Sequence, residues 1–152
     1  MAQVESNKAE GRLFESLFAR QAQIEGLLVI KNHLSCRMLY KGRVQVIPGQ
    51  LDFTLANRDG RVAYVDCKSF EGFSFSHSKL TPHQVERAAL YNDWNIPSGF
   101  IVHFRKTGQI VFFRGSVIHK TGPGNSFHSG HGTILGCWHR FDLKPVFLGA
   151  AG

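Results

Sequence analysis

The chain has 152 residues, 43% of them hydrophobic and 19% charged, which suits one globular domain and excludes a disordered polymer. No run of about 18 apolar residues is present, so no membrane-spanning helix is expected, and the polar opening MAQVESNKAEGR lacks the apolar segment of a secretion signal. Eighteen Lys+Arg against 11 Asp+Glu leave a formal charge of +7. That balance points to an anionic partner, nucleic acid first, although plain solubility accounts for magnitudes of about 2–8 in small domains.

Residues 8–25 (KAEGRLFESLFARQAQIE) read as an amphipathic helix with Phe14, Leu17, Phe18 and Gln21 along one side, and Ser6 is its expected N-cap. Residues 27–30 form a short strand. Residues 38–47, carrying Lys41 and Arg43, form a strand or hairpin before the Pro48-Gly49 turn. Residues 50–55 and 61–68 are strands joined by Asn57-Arg58-Asp59-Gly60, a strong hairpin signal. Residues 71–80 are a Gly/Ser/Phe-rich loop. The second helix spans 82–94, with Thr81 as N-cap, Pro82 at N1 and Gln84 at N3 completing a capping box, and Leu80 and Val85 placed as a hydrophobic staple. A second hairpin pairs 99–105 with 109–114 around Thr107-Gly108. Residues 121–132 are expected as loop and 134–141 as a last short strand. Phe100, Phe112, Phe113 and Trp94 are assigned to the core. Helices alternating with strands predict a single α/β or α+β domain, with a core over about 8–114 and a basic, Gly-rich remainder. Cys36, Cys67 and Cys137 are odd in number and widely spaced, as expected of reduced thiols in a cytosol.

The middle hairpin is the most informative segment. A three-residue loop, Arg58-Asp59-Gly60, with Gly60 in the left-handed region, sets Asp52 opposite Asp66, Gln50 opposite Lys68 and Thr54 opposite Tyr64. The other face is wholly apolar, with Leu51, Phe53 and Leu55 against Cys67, Val65 and Ala63. A two-residue turn would shift the register by one and mix the faces. Facing carboxylates, with Cβ atoms about 4.5–5.5 Å apart, repel. A divalent cation removes the penalty, and Mg²⁺ takes such oxygen ligands at about 2.0–2.1 Å. Lys68, two residues beyond Asp66, shares its face; it can position or deprotonate a water, or stabilise charge on a phosphate. The plain alternative is a surface ion pair between Asp66 and Lys68, worth little. The opposing Asp52 and the strict segregation of faces weigh against it.

The order Gly11-Arg12-Leu13-Phe14-Glu15 on a first helix, then Asp52, then Val65-Asp66-Cys67-Lys68-Ser69, then His83-Gln84 on the next helix resembles the PD-(D/E)xK nuclease superfamily. Within it the likeness is to RecU-type Holliday-junction resolvases and their phage relatives, over residues 8–114. The resemblance implies a restriction-endonuclease-like mixed central sheet flanked by helices, Mg²⁺-dependent cleavage of DNA (Mn²⁺ as possible substitute), a homodimer, and a cytoplasmic setting in a bacterial or phage-infected cell. It implies Asp52, Asp66 and the Cys67 backbone carbonyl as metal ligands, Lys68 as the water-activating group, and Glu15 and Gln84 at the edge of the site. Leu51 stands where the superfamily has proline, Asp66 stands where the resolvases usually have glutamate, and the segment 31–50 is shorter than their junction-inserting stalk.

By helical geometry Glu10 is an equal candidate to Glu15; the resemblance selects Glu15. Gln84 is equally explained by its capping box. Cys137, His139, His128 and His131 fit no familiar four-ligand zinc spacing. Lys41, Arg43, Arg58, Lys79, Arg105, Lys106, Arg114 and Lys120 are candidates for phosphate contacts, with His83 beside them on the second helix. Phe70, Phe73 and Phe75 either stack on bases or pack their loop. The apolar contact of a dimer is expected from residues 27–30 or 134–148. Three functions stay open: a nuclease for branched DNA, a duplex or repair nuclease of the same fold, and a non-catalytic DNA-binding protein.

Overall fold

The computed structural model describes residues 2–32, 35–38, 40–47 and 51–148. The first helix, α1 (Ala2–Ile24), begins earlier than its periodicity suggests. No Gly or Pro interrupts residues 2–10, and Glu5 in the first turn suits the positive end of the helix dipole. Ser6 therefore lies inside α1 and not at its N-cap. Phe14, Phe18 and Ala22 are buried, one turn apart each. Then follow β1 (Leu28–Lys31), β2 (Ser35–Met38), a 3-10 turn at Tyr40–Gly42, β3 (Val44–Ile47), β4 (Phe53–Ala56) and β5 (Val62–Phe70). The stretch 38–47, expected as a strand or hairpin, holds in full only the second strand of a hairpin, β3; its partner β2 begins ahead of it at Ser35, with Cys36 opposite Val46. The Pro48-Gly49 turn and Gln50 lie outside the described residues.

After β5 come β6 (Ser74–Ser76), α2 (Pro82–Asp93), β7 (Ser98–Phe104), β8 (Gln109–Arg114), α3 (Gly115–Thr121), β9 (Ser126–His128), β10 (Thr133–Cys137), β11 (Arg140–Phe141) and α4 (Lys144–Phe147). Seven of these strands form one mixed sheet in the order β1-β4-β5-β7-β8-β10-β11. The β5–β7 pair is parallel, because α2 serves as its crossover; the other neighbours are antiparallel. The fold is thus a central mixed sheet with helices on both faces. The α1 face packs Phe14, Phe18, Phe53, Leu55, Val65, Cys67 and Ile101. The α2–α3 face packs Leu80, Val85, Ala88, Phe100, Val102, Phe113 and Ile118. Leu80 and Val85 share this cluster, as a staple would. Gly115 lets α3 close onto α2, since a Cβ there would meet that of Ala88 at 2.4 Å.

Three expectations need correction. Residues 71–80 and 121–132 are not all loop: β6, in the first, pairs with β9, in the second, across Phe75 and Phe127, and both rings are buried. The last strand is two strands, β10 and β11, turned at Trp138–His139, and β10 joins the main sheet beside β8. The C-terminal segment is therefore part of the core, through Leu135, Phe141, Leu143, Val146 and Phe147. Gly and Ser dominate its local composition, which hides these widely spaced apolar anchors. Trp94 is not core. It caps α2 where the chain turns out through left-handed Asn95, and it is 75% exposed. Leu143→Ala is expected to destabilise the fold by about 2–3 kcal/mol, read as a lowered denaturation midpoint; an unchanged midpoint would detach the C-terminal segment from the core.

Candidate active site

The β4–β5 hairpin has the register its sequence requires. Phe53 faces Val65, Thr54 faces Tyr64 and Leu55 faces Ala63. Gly60 is left-handed, with φ 80°, and the Asn57 amide bonds the Arg61 carbonyl at 3.0 Å. The ladder stops at Phe53. Asp52 sits in a bend, and its amide donates to Asp66 Oδ1 at 3.2 Å. This bend also alters the fate of Leu51. It is buried, but with Phe75, Leu80 and Val85 on the α2 face, not beside Phe53. Strict alternation ends one residue too early to carry Leu51 to the α1 side.

Asn32 holds the bend. Its amide N–H donates to the Asp52 carbonyl at 2.7 Å, and its Nδ2 donates to the Leu51 carbonyl at 2.8 Å. Its side chain also exchanges hydrogen bonds with Thr54 Oγ1. No motif in the sequence singles out Asn32; only the paired backbone reveals it.

Asp66 is fully buried, and its two oxygens have different neighbours. Oδ1 accepts from Gln84 Nε2 at 3.1 Å as well as from the Asp52 amide. Oδ2 lies 3.0 Å from Lys68 Nζ, an ion pair more than a well-directed hydrogen bond. Gln84 thus faces the acids. Thr81 is the N-cap of α2 but makes no side-chain capping bond, so the capping-box reading of Gln84 does not hold. A buried carboxylate competes better for the amide than an exposed cap does. Tyr64 and Tyr91 stack with centroids 4.3 Å apart and fix α2 over β5, which sets the reach of Gln84.

Burial pushes the Asp52 carboxyl up to about 7, and the charge and hydrogen bonding of Asp66 push the same way; Lys68 and the Cys67 amide oppose them. Burial pulls the Lys68 ammonium down, but the attraction of Asp66 and Asp52 outweighs it, so its pKa is raised. Lys68 is therefore a fixed cation at neutral pH. The Cys67 thiol points into the opposite core, where burial and then the nearby acids push it well up. It is an inert, packed thiol.

Glu15 lies on the α1 side, paired with Lys31 Nζ at 3.1 Å, and its charge reaches the Cys67 thiol. The structure groups Asp52, Asp66, Lys68 and Gln84 directly; Glu15 stands outside that hydrogen-bonded set. The residues fit an oxygen-liganded cation. Two carboxylates converge, and Gln84 Oε1 is buried with no hydrogen-bond partner among the described residues, an oxygen oriented with nothing to accept from. Gln84→Ala should lower any metal-dependent activity by about 10–100-fold with the fold intact. Wild-type kinetics would reduce Gln84 to a packing residue.

The basic candidates fall in different places. Lys41 and Arg43 are exposed between β2 and β3. His83 is exposed on the first turn of α2. Lys106 lies over the Phe73 ring at 4.6 Å, and Lys79 and Arg105 line one cavity. Arg58 is in the β4–β5 turn, at the far end of the hairpin from Asp52. Arg114 is partly buried; it donates to the Leu148 carbonyl and lies over Phe112. Lys120 is exposed in the last turn of α3. Phe75 is buried and stacks on Phe70 at 4.8 Å, whereas Phe73 is 57% exposed. The His128 and His131 rings meet tilted, with centroids 3.9 Å apart, while Cys137 and His139 belong to the β10–β11 hairpin. No group of three or more His, Cys, Asp or Glu among the described residues is arranged to hold a metal.

No protein-family model matches the chain, and no curated protein matches it. The fold matches the structure of Archaeoglobus fulgidus Hjc, a Holliday junction resolvase from an archaeal hyperthermophile, with a TM-score of 0.59 at 13% identity, covering 82% of this chain and 95% of that one. At that identity the likeness is one of fold.

Proposed function

We propose that the chain is a Mg²⁺-dependent endodeoxyribonuclease of the PD-(D/E)xK type that cuts branched DNA as a homodimer. The observation that carries this reading is the cluster itself: Asp52 and buried Asp66, with Lys68 and Gln84 against them, in a chain of charge +7. A protein that only bound DNA would gain nothing from two converging acids on a basic scaffold. The fold shared with a Holliday junction resolvase supports the choice of branched substrate.

Asp52 and Asp66 would hold the metal, with Gln84 Oε1 and the Cys67 carbonyl completing the protein oxygens. Bound Mg²⁺ would supply a water of lowered pKa and neutralise charge on the phosphate. Lys68, charged and anchored by Asp66, orients that water or a phosphate oxygen. Its raised pKa suits an electrostatic role better than that of a base. Gln84 fixes the Asp66 carboxylate through Oδ1. Glu15, paired with Lys31 on the α1 side, takes no part in this arrangement.

The deciding experiment compares a four-way junction, a flap and a linear duplex, each with Mg²⁺ and with EDTA, while light scattering gives the mass. Paired nicks across the junction by a dimer support the proposal. Equal cutting of linear duplex by a monomer replaces it with the duplex-nuclease reading. No cleavage of any substrate leaves a DNA-binding protein.

A further inference from the structure

Beyond Lys68, the end of β5 opens into a cavity of about 460 Å³ lined by Asn7, Ser69, Ser74, Ser76, Lys79 and Arg105, with Glu71 also on its wall. Two of these groups are cations and one is an acid. Arg105 is held before any ligand arrives. Its Nη1 donates to Ser69 Oγ at 3.0 Å and its Nη2 to Asn7 Oδ1 at 2.7 Å, and its amide donates to the Phe70 carbonyl at 2.9 Å. A guanidinium fixed in this way has lost its rotamer freedom already and keeps further N–H donors for an anion. Serine hydroxyls and a lysine ammonium complete the donor set by which proteins grip backbone phosphate.

We infer that this cavity seats a DNA backbone phosphate flanking the one held at Asp52 and Asp66, and that Arg105 is a positioning residue that sets where along the strand the cut falls. Ser69 is three residues past Asp66 on β5, about 10 Å along the strand, and the odd spacing turns its side chain to the other face of the sheet. A DNA strand that reaches both places crosses the end of β5, whose last residue is Phe70. The inference rests on the nuclease reading for its purpose, but not for its test.

Binding of a four-way junction is measured without divalent metal, using DNAs in which single phosphates near the branch are replaced by neutral methylphosphonates. For the wild type, one position should weaken binding by about tenfold. Arg105→Gln should lose a similar amount on native DNA, lower the salt slope by about one phosphate, and show no further loss at that position. Ser69→Ala, which frees the guanidinium, should give a smaller loss at the same phosphate, and Lys79→Gln serves if Arg105→Gln fails to fold. Equal losses for wild type and variant at every position, native-like binding by Arg105→Gln, or no DNA binding at all overturns the subsite. Cleavage of the same DNAs by the wild type, assayed in parallel with Mg²⁺, separates the two ideas: phosphate coupling without cleavage sinks the nuclease and keeps the subsite, and cleavage without coupling does the reverse.

Discussion

Asp66→Asn should abolish cleavage, by at least about 10²–10³-fold, while leaving DNA binding at or above the wild-type level. Asn keeps an oxygen that can accept from Gln84 Nε2 and the Asp52 amide, so the hairpin bend and the seat of α2 survive. What disappears is the charge that holds Lys68 at 3.0 Å and that would hold a metal. Removing a negative charge that faces phosphate also removes a repulsion, so binding holds or tightens. Asp52→Asn and Lys68→Ala should lose cleavage as well. Single-turnover cleavage of a labelled junction, beside a binding titration, checks each pair of outcomes. An Asp66→Asn protein that cuts at the wild-type rate in Mg²⁺ would move the chemistry elsewhere in the molecule.

The hairpin that carries these residues was legible because two constraints agreed. The Arg58-Asp59-Gly60 loop admits one register, and only that register separates Phe53, Leu55, Ala63 and Val65 from the polar face. Leu51 escaped because alternation says nothing about where a strand ends; Asn32, nineteen residues earlier, decides that. Gln84 was ambiguous for a different reason. Local sequence offers it a helix cap, and only tertiary packing offers it a buried carboxylate. The C-terminal quarter was misread because each of β9, β10, β11 and α4 is too short to show a period. Their apolar residues become a pattern only once β8 and α1 supply the surfaces they cover. Trp94 shows the converse: a large apolar side chain at a helix end has no packing partner guaranteed by its type.

Metal affinity should climb steeply with pH, because Asp52 must give up its proton to become a ligand. In the metal-free protein its carboxyl sits at about 7, raised by burial and by Asp66. Below that pH a proton competes with the cation, so apparent affinity falls roughly tenfold per pH unit, or about 10²-fold between pH 7 and 5. Titration calorimetry with Mg²⁺ and Mn²⁺ measures it; Asp52→Asn should bind weakly and without this pH dependence. Stability carries the same signature with a defined sign. At a pH below the ordinary carboxylate value of 3.8, folded and unfolded chains both hold the proton and Asp52 costs nothing. Between there and about 7 the unfolded chain releases its proton while the folded chain keeps it, so stability falls as pH rises and levels off above 7. Without metal, Asp52→Asn should therefore melt higher than the wild type at pH 8, by about 2–4 °C for each kcal/mol relieved, and the gap should close toward pH 4. Mg²⁺ should raise the melting temperature of the wild type at pH 8 and leave that of Asp52→Asn nearly unchanged. A wild-type protein whose metal affinity is flat from pH 5 to 8, or one that melts no lower than Asp52→Asn at pH 8, would mean that the Asp52 carboxyl ionises in the ordinary range and that the two acids do not face each other closely enough to share a cation.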